Sequence, residues 1–89
     1  MAWKVEVSPL AHKNLLKLDQ QIARRILHFL NTRIKTSNDP RLIGEALKGS
    51  KFGEFWRYRV GDYRIIAKIE DHVFLVIVLQ VGHRREVYR

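Results

Sequence analysis

The chain of 89 residues, 46% of them hydrophobic, is long enough for one domain with a modest core. It contains no cysteine, which excludes disulfides and thiolate metal ligands and argues against a disulfide-built secreted scaffold. Its net charge of +8, with 17 lysines and arginines against 9 acidic residues, is typical of a protein that binds a polyanion. Because it has no signal-like apolar start and its longest apolar run is too short to cross a bilayer, we expect a soluble, cytoplasmic protein without a membrane partner.

The N-terminal part of the chain predicts one strand followed by two helices. Residues 2–7 alternate apolar and charged side chains, as a half-buried strand does. Ser8 is a good N-cap in front of a proline, and it predicts a helix over about 9–18. Asp19 is the next N-cap, and an apolar stripe of 3.6-residue period predicts a second helix over about 20–36. The very short connection makes these helices a hairpin whose apolar stripes must pack on a sheet.

The C-terminal part predicts the rest of that sheet. Residues 41–49 are expected to form a short helical or irregular segment, and a β-hairpin follows at 54–69. After a turn at 70–72, the last strand covers 73–81. That strand is apolar along most of its length, as expected of a central strand covered on both faces. The predicted fold class is α+β, in the order β-α-α-β-β-β: one domain in which an N-terminal helical hairpin packs on a mainly antiparallel four-stranded sheet.

The predicted β-hairpin turns at Gly61-Asp62, with glycine first as a two-residue type II′ turn requires. Such a turn pairs Val60 with Tyr63 and Arg59 with Arg64, and paired residues share a face of the sheet. Apolar and aromatic side chains alternate with arginines here, so one face of the hairpin is apolar and the other cationic. Two arginines that face each other repel unless an anion lies between them. We therefore expect the cationic face to bind an anion.

The cationic face contains Arg57, Arg59 and Arg64. Arginine stays protonated in proteins and donates hydrogen bonds in a planar fork, which suits a phosphate group. The alternative is a network of salt bridges within the chain, with Glu54, Glu70 or Glu86 as the partners. The sequence leaves both interpretations open.

The C-terminal tail adds charge and an aromatic ring beside this face. If the turn at 70–72 has three residues, Arg64 lies opposite Val78 and Arg84 continues the cationic row. Tyr88 is either a packing residue or a ring on which a nucleobase stacks.

Among the four histidines, His83 alone is adjacent in sequence to the arginines of the tail. Histidine is the side-chain type whose ordinary pKa lies near neutral pH, so His83 is a candidate for proton transfer. Scattered histidines without cysteine do not resemble a metal site, and we expect neither a metal nor another cofactor.

Three segments of the sequence resemble the RelE/ParE superfamily of bacterial toxins. They are Leu47-Lys48-Gly49, the hairpin segment 56–66 and the ending 81–88, and the similarity extends over essentially the whole chain. The hairpin segment is common to the superfamily. The ending, HRxxVY, is similar to the RelE branch, whose members are ribosome-dependent mRNA endonucleases. ParE-like relatives, which poison DNA gyrase, generally lack it.

The resemblance implies a metal-independent reaction in which a ribose 2′-hydroxyl attacks the adjacent phosphate. By position, Arg64 matches the arginine that contacts the phosphate, and Arg84 matches the arginine near the leaving group. Tyr88 matches the tyrosine that stacks on or orients a base, and Arg57 matches one of a pair of lysines. The other basic residues expected to contact RNA phosphates are Arg59, Arg85 and Lys51.

The general base is the role for which the resemblance gives no direct match. Phe55 stands at the position of the second lysine, and phenylalanine can neither accept a proton nor bind a phosphate. We prefer His83 slightly as a substitute because it adjoins Arg84. Glu45 is the second candidate, since its segment resembles the one that supplies a catalytic glutamate in YoeB-like relatives. The alternative for Glu45 is a surface carboxylate on a short helix.

The resemblance also implies partners: the ribosome, mRNA and a cognate antitoxin with an acidic toxin-binding segment. We keep two other functions open. One is a ParE-like toxin that inhibits DNA gyrase. The other is a non-catalytic basic RNA-binding domain, which includes a degenerate toxin that has lost its activity.

Overall fold

The computed structural model describes residues 2–47 and 55–87, with the side chain of Val87 excepted. The described elements are β1 (Lys4–Val7), α1 (Pro9–Lys17), α2 (Gln20–Phe29), a π-helical turn (Leu30–Ile34), a 3-10 turn (Pro40–Leu42), β2 (Glu45–Ala46), β3 (Phe55–Val60), β4 (Tyr63–Glu70), a second 3-10 turn (Asp71–Val73), β5 (Leu75–His83) and α3 (Arg84–Val87). The α+β order is confirmed. The segment 41–49, expected to be helical or irregular, contributes the additional strand β2.

The strands of the described chain form a five-stranded sheet in the order β1-β5-β4-β3-β2, rather than the four-stranded sheet that we predicted. β1 runs parallel to β5, and the helical hairpin carries the chain from β1, at one edge of the sheet, to β2, at the other edge. The other pairings are antiparallel, so the mainly antiparallel character is confirmed. β5 lies between β1 and β4, away from the edges, as its apolar sequence predicts.

Both predicted helix starts are confirmed by their caps. The Ser8 hydroxyl accepts a hydrogen bond from the Ala11 N–H at 3.1 Å, and the Asp19 carboxylate accepts one from the Gln21 N–H at 2.9 Å. The second helix was predicted to about residue 36, but its α-helical part ends at Phe29. The chain continues as the π-helical turn to Ile34.

The core lies between the helical hairpin and one face of the sheet. Ile26 and Ile34 from the helical side and Tyr58, Ile65 and Val78 from the strands are fully buried there. The expectation that β5 is covered on both faces is wrong for the described chain. The side chains that β5 directs away from the helices are only half-buried, namely Leu75, Ile77 and Leu79. We call this helix-free side the open face.

The predicted β3–β4 register is confirmed, including Arg59 opposite Arg64. Gly61 has a φ of 58° and Asp62 does not have a positive φ, as a type II′ turn requires. The β4–β5 register differs from our expectation. Glu70 pairs with Leu75, and a bulge between Ile66 and Ala67 shifts the pairing.

The β4–β5 turn is longer than the predicted three residues because it includes Phe74. This residue has a left-handed backbone conformation, with a φ of 50°. As a result of the longer turn and the bulge, Arg64 lies opposite Gly82, not Val78. None of the helices in the described ranges has the length and apolar character that a membrane span requires.

Candidate nucleic-acid interface

The arginines of the hairpin lie together on the open face, as predicted. Arg57 lies between Glu45 on β2 and Ile66 on β4, and Arg59 lies beside Arg64. Their exposure differs widely. The side chain of Arg59 is 57% exposed and that of Arg57 is 18% exposed, whereas Arg64 is a buried residue with 8% exposure.

The carboxylate of Glu45 lies between two of these arginines. Its Oε2 is 2.6 Å from Nη2 of Arg57, and its Oε1 is 3.2 Å from Nε of Arg59. The hydrogen bond from Arg57, assisted by the charges of Arg57, Arg59 and Arg64, lowers the pKa of Glu45 below its ordinary value. Glu45 is therefore ionised at neutral pH. It is part of a strand and not of the short helix on which we expected it.

Salt bridges within the chain do form, as the alternative interpretation expected, but the acidic partner of the arginines is a different residue. Glu45, which we had not considered as an ion-pair partner, holds Arg57 and Arg59. Glu70 pairs with Lys68 instead, at 3.1 Å. Glu54 lies outside the described residues.

Arg64 is held in place by the turn that it adjoins. Its Nη1 donates to the carbonyl oxygens of Gly61 at 2.9 Å and Tyr63 at 3.0 Å. Its Nε is buried, and no atom of the described chain accepts a hydrogen bond from it. A buried donor without an acceptor costs free energy, which the two hydrogen bonds of Nη1 offset in part. Arg64 thus provides a fixed cation rather than a mobile surface charge.

Arg84 and Arg85 begin α3, where the chain leaves the sheet beside the hairpin turn. The backbone N–H of Arg84 donates to the carbonyl oxygen of Asp62 at 2.8 Å. Both arginine side chains are exposed. Gly82 lies in the row of Arg59 and Arg64. β5 ends at His83, so Arg84 lies beyond the strand alternation, and its place in the cationic row stays a prediction.

His83 adjoins Arg84, but this adjacency does not bring it to the arginines of the hairpin. Its Nδ1 accepts a hydrogen bond from the backbone N–H of Arg85 at 3.2 Å. It pairs with Tyr63, which pairs with Val60 on the helix-covered face. The ring of His83 packs edge-on against Tyr63 at 5.6 Å. It lines a cavity with Leu18 from the helical hairpin. The sheet therefore separates His83 from the arginines of the open face, although Arg84 is its neighbour in sequence.

Sequence reasoning missed the lysine beside Phe55. Lys68 on β4 lies directly opposite Phe55, so both side chains are on the open face. The predicted hairpin register already implied this pair, because a turn that joins Val60 to Tyr63 also joins 55 to 68. The ammonium group of Lys68 therefore lies on the open face next to Phe55, the position at which the resemblance implies a second lysine.

Two of the predicted contact residues, Lys51 and Tyr88, lie outside the described residues. Within the described ranges, no three histidine, aspartate or glutamate side chains are grouped so that they can hold a metal ion. The guanidinium groups of the open face are donors only and cannot ligate a metal. They can bind a phosphodiester and stabilise extra negative charge on it.

The sequence matches the family model described as ParE toxin of type II toxin–antitoxin system, parDE, over residues 5–88. It is also 30% identical to Toxin RelG of Mycobacterium tuberculosis over 89 residues, which are 100% of this chain and 99% of that protein. Both similarities extend over nearly the whole sequence.

Solved structures resemble the whole fold. The toxin–antitoxin complex RelBE2 of Mycobacterium tuberculosis matches with a TM-score of 0.84 and 25% identity, covering 94% of this chain and 100% of that chain. The archaeal RelE–RelB complex of Pyrococcus horikoshii matches with a TM-score of 0.75 and 26% identity, covering 97% of this chain and 99% of that chain. These similarities include the five-stranded sheet that carries the arginines.

Proposed function

Because the chain belongs to the RelE/ParE family of toxins of type II toxin–antitoxin systems, we propose that it is a ribosome-dependent mRNA endoribonuclease that inhibits translation. One observation carries this proposal. Arg57, Arg59 and Arg64 converge on the open face of the sheet, and Arg84 begins α3 beside the hairpin turn, where its backbone N–H donates to Asp62. Such an array is suited to a phosphodiester.

The proposed reaction needs no metal. The ribose 2′-hydroxyl loses its proton, its oxygen bonds to the adjacent phosphorus, and the bond from phosphorus to the 5′-oxygen breaks. The 5′-oxygen then takes up a proton. Arg64, held by the turn carbonyls, stabilises the extra negative charge of the pentavalent transition state. Arg84 assists at the leaving oxygen, and Tyr88 orients a base.

The geometry supports Glu45 over His83 as the general base. Glu45 is on the open face, in contact with Arg57 and Arg59, whereas His83 is on the other face. The pKa of Glu45 is lowered while Arg57 holds it, which makes it a weak base in the free protein. A phosphate that takes over Arg57 and Arg59 would release the carboxylate, and its pKa would then rise.

We expect Arg64→Ala and Arg84→Ala each to relieve the growth arrest that the induced protein causes. Each removes a cation from the reacting phosphate, and a lost transition-state contact of this kind costs about 10²–10³-fold in rate. Arg24→Ala is the matched control, because Arg24 is an exposed arginine on α2 away from the open face. Growth curves after induction, with soluble expression checked, decide the outcome. If both variants arrest growth as the parent does, the assignment is wrong.

The family description favours one alternative, a ParE-like inhibitor of DNA gyrase. The two functions differ in their first effect in the cell. An mRNA endonuclease stops incorporation of labelled amino acids within minutes, whereas a gyrase inhibitor first triggers the DNA-damage response. A non-catalytic RNA-binding domain, the other alternative, would bind RNA with a steep salt dependence and leave translated messages uncut.

We also propose a cognate antitoxin with an acidic segment as the partner of this chain. The related structures are complexes of a toxin with its antitoxin, and the charge of +8 favours an acidic partner. A ribosomal target requires the protein to act in the cytoplasm. Co-expression of such an antitoxin should restore growth, and the complex should weaken as the salt concentration rises.

A further inference from the structure

A second cationic surface lies on the helical side of the molecule, between α2 and the β3–β4 turn. It is a cleft of about 390 Å³, and the residues that matter in it are Arg25, His28, Phe29, Arg33 and Arg59. We call it the α2 cleft. The open face and the catalytic assignments do not account for it, except for their shared residue Arg59.

The α2 cleft differs from the open face in its lack of carboxylates. The sequence contains no aspartate or glutamate from 20 to 38, whereas it contains four lysines and arginines there. Within the described residues, neither Arg25 nor Arg33 forms an ion pair, while Arg57 and Arg59 both contact Glu45. The charges of Arg25 and Arg33 therefore remain available to an external anion, whereas Arg59 is shared with Glu45.

Two exposed arginines of the α2 cleft, Arg25 and Arg33, each contact a neighbouring residue through the guanidinium group. The guanidinium carbon of Arg33 lies 5.9 Å from the centre of the Phe29 ring. The Arg25 guanidinium packs against Gly61, whose missing side chain leaves room for it: a Cβ there would lie 3.3 Å from Arg25 Nη1. Contacts of this kind reduce the freedom that the side chains lose when they bind a ligand.

Arg59 connects the two surfaces. It pairs with Arg64 on the open face, and it also lines the α2 cleft around the edge of β3. We propose that the α2 cleft binds the phosphate backbone of RNA, as a second contact that continues the strand whose scissile phosphate lies on the open face. This proposal rests on RNA being the target, as in the proposed function.

An acidic protein segment is the other polyanion that such a surface attracts. Protein segments usually dock through apolar anchors at the centre of an interface. The α2 cleft offers guanidinium and imidazole groups, and its aromatic ring, Phe29, is already covered by Arg33. The exposed leucines of the helices, Leu10, Leu16 and Leu27, do not line it. The chemistry of the cleft favours RNA.

The test is the salt dependence of RNA binding by the full chain. The probe is a fluorescein-labelled 20-nucleotide oligouridylate, with affinity measured by anisotropy between 50 and 300 mM salt. For single strands, each phosphate contact contributes roughly 0.7 to the slope of log affinity against log salt, so Arg25→Ala combined with Arg33→Ala should lower that slope by about 1.4. Arg24→Ala, on the same helix but outside the cleft, should leave the slope as in the parent.

A second variant separates charge from folding. Arg25→Lys combined with Arg33→Lys keeps both charges and should retain most of the slope. The proposal is overturned if the alanine pair changes the slope no more than Arg24→Ala does. It is also overturned if the double variant Arg25→Ala, Arg33→Ala binds RNA as the parent does, and only its affinity for a 20-residue oligoglutamate is lower than that of the parent. A third outcome is a parent protein that binds RNA through the α2 cleft as expected and yet cuts no message. That result would contradict the proposed endonuclease function and would still support RNA binding by the α2 cleft.

Discussion

Arg59 and Arg64 face each other across the hairpin, and the structure balances each charge differently. Arg59 contacts the carboxylate of Glu45, and Arg64 donates to the carbonyl oxygens of Gly61 and Tyr63. The repulsion expected from the sequence is thus relieved within the chain. The face retains a buried donor, Nε of Arg64, whose acceptor is not in the described chain. An RNA phosphate would have to compete with Glu45 for Arg57 and Arg59.

We expect Glu45→Gln to separate RNA binding from cleavage. The amide no longer competes as an anion for Arg57 and Arg59, so affinity for RNA should rise. Cleavage should fall by about 10²–10⁴-fold if Glu45 is the general base that we propose. Glu70→Gln is the matched control, since Glu70 is a carboxylate paired with Lys68 on the same face. Anisotropy and single-turnover cleavage measure the two effects. Full cleavage by Glu45→Gln would exclude Glu45 as the base.

At the scale of elements, the two-residue strand β2 brings Glu45 to the site. It pairs with β3 at Arg57 and Trp56. Gly44, immediately before it, is pressed against β3: a Cβ there would lie 2.8 Å from a Tyr58 ring carbon and 2.9 Å from the Arg57 carbonyl oxygen. No residue with a side chain fits without displacing Tyr58 or the backbone.

Gly44→Ala should therefore destabilise the protein by about 1–3 kcal/mol, the usual cost of overpacking a filled site. Because the clash moves β2 away from β3, cleavage should fall as well. Leu42→Ala, in the same segment but 83% exposed, should change neither quantity. Urea unfolding and the cleavage assay provide the measurements. Parental stability of Gly44→Ala would show that β2 is not packed as described.

The elements that the sequence predicted are those determined by neighbouring residues. Ser8 and Asp19 cap the helices that follow them, and Gly61-Asp62 sets the β3–β4 register. Long-range pairing was less predictable. β2 exists only because β3 lies beside it, and the left-handed conformation of Phe74 has no clear sequence signal. The bulge was not predictable either: it interrupts the alternation along β5, so that Val78 and His83 both lie on the helix-covered face.

At the scale of the whole molecule, ion pairs connect segments that are distant in sequence. Asp71, in the β4–β5 turn, holds Arg41 of the 3-10 turn through both carboxylate oxygens. Arg41 in turn lies 5.8 Å from the Trp56 ring. Sequence reasoning could not foresee this connection, because 30 residues separate the two partners.

These ion pairs predict how stability depends on pH. Hydrogen bonds from Arg41 and Arg57 lower the pKa values of Asp71 and Glu45 in the folded protein. A carboxylate whose pKa is lowered by folding stabilises the native state above its unfolded pKa, and this contribution is lost as pH falls through the native pKa. Stability should therefore decrease below the ordinary aspartate pKa of 3.8.

We expect Asp71→Asn to lose less stability than the parent between pH 7 and pH 3, because the variant has no carboxylate there to protonate. Asp62→Asn is the control: Asp62 forms no ion pair with the described residues, and its replacement should leave the pH dependence unchanged. Thermal unfolding across this pH range measures both. Equal acid sensitivity of the parent and Asp71→Asn would mean that the pair with Arg41 does not form in solution.

The most direct test of the proposed function uses ribosomes programmed with two messages that differ by one atom. The cleavage site is first mapped on an all-ribose message, and the nucleotide 5′ to the cut is then replaced by its 2′-deoxy form. We predict that the ribose message is cut into fragments with a 2′,3′-cyclic phosphate and a 5′-hydroxyl, and that the deoxy message stays intact. Cleavage of the deoxy message, or no ribosome-dependent cleavage of the ribose message, would contradict it.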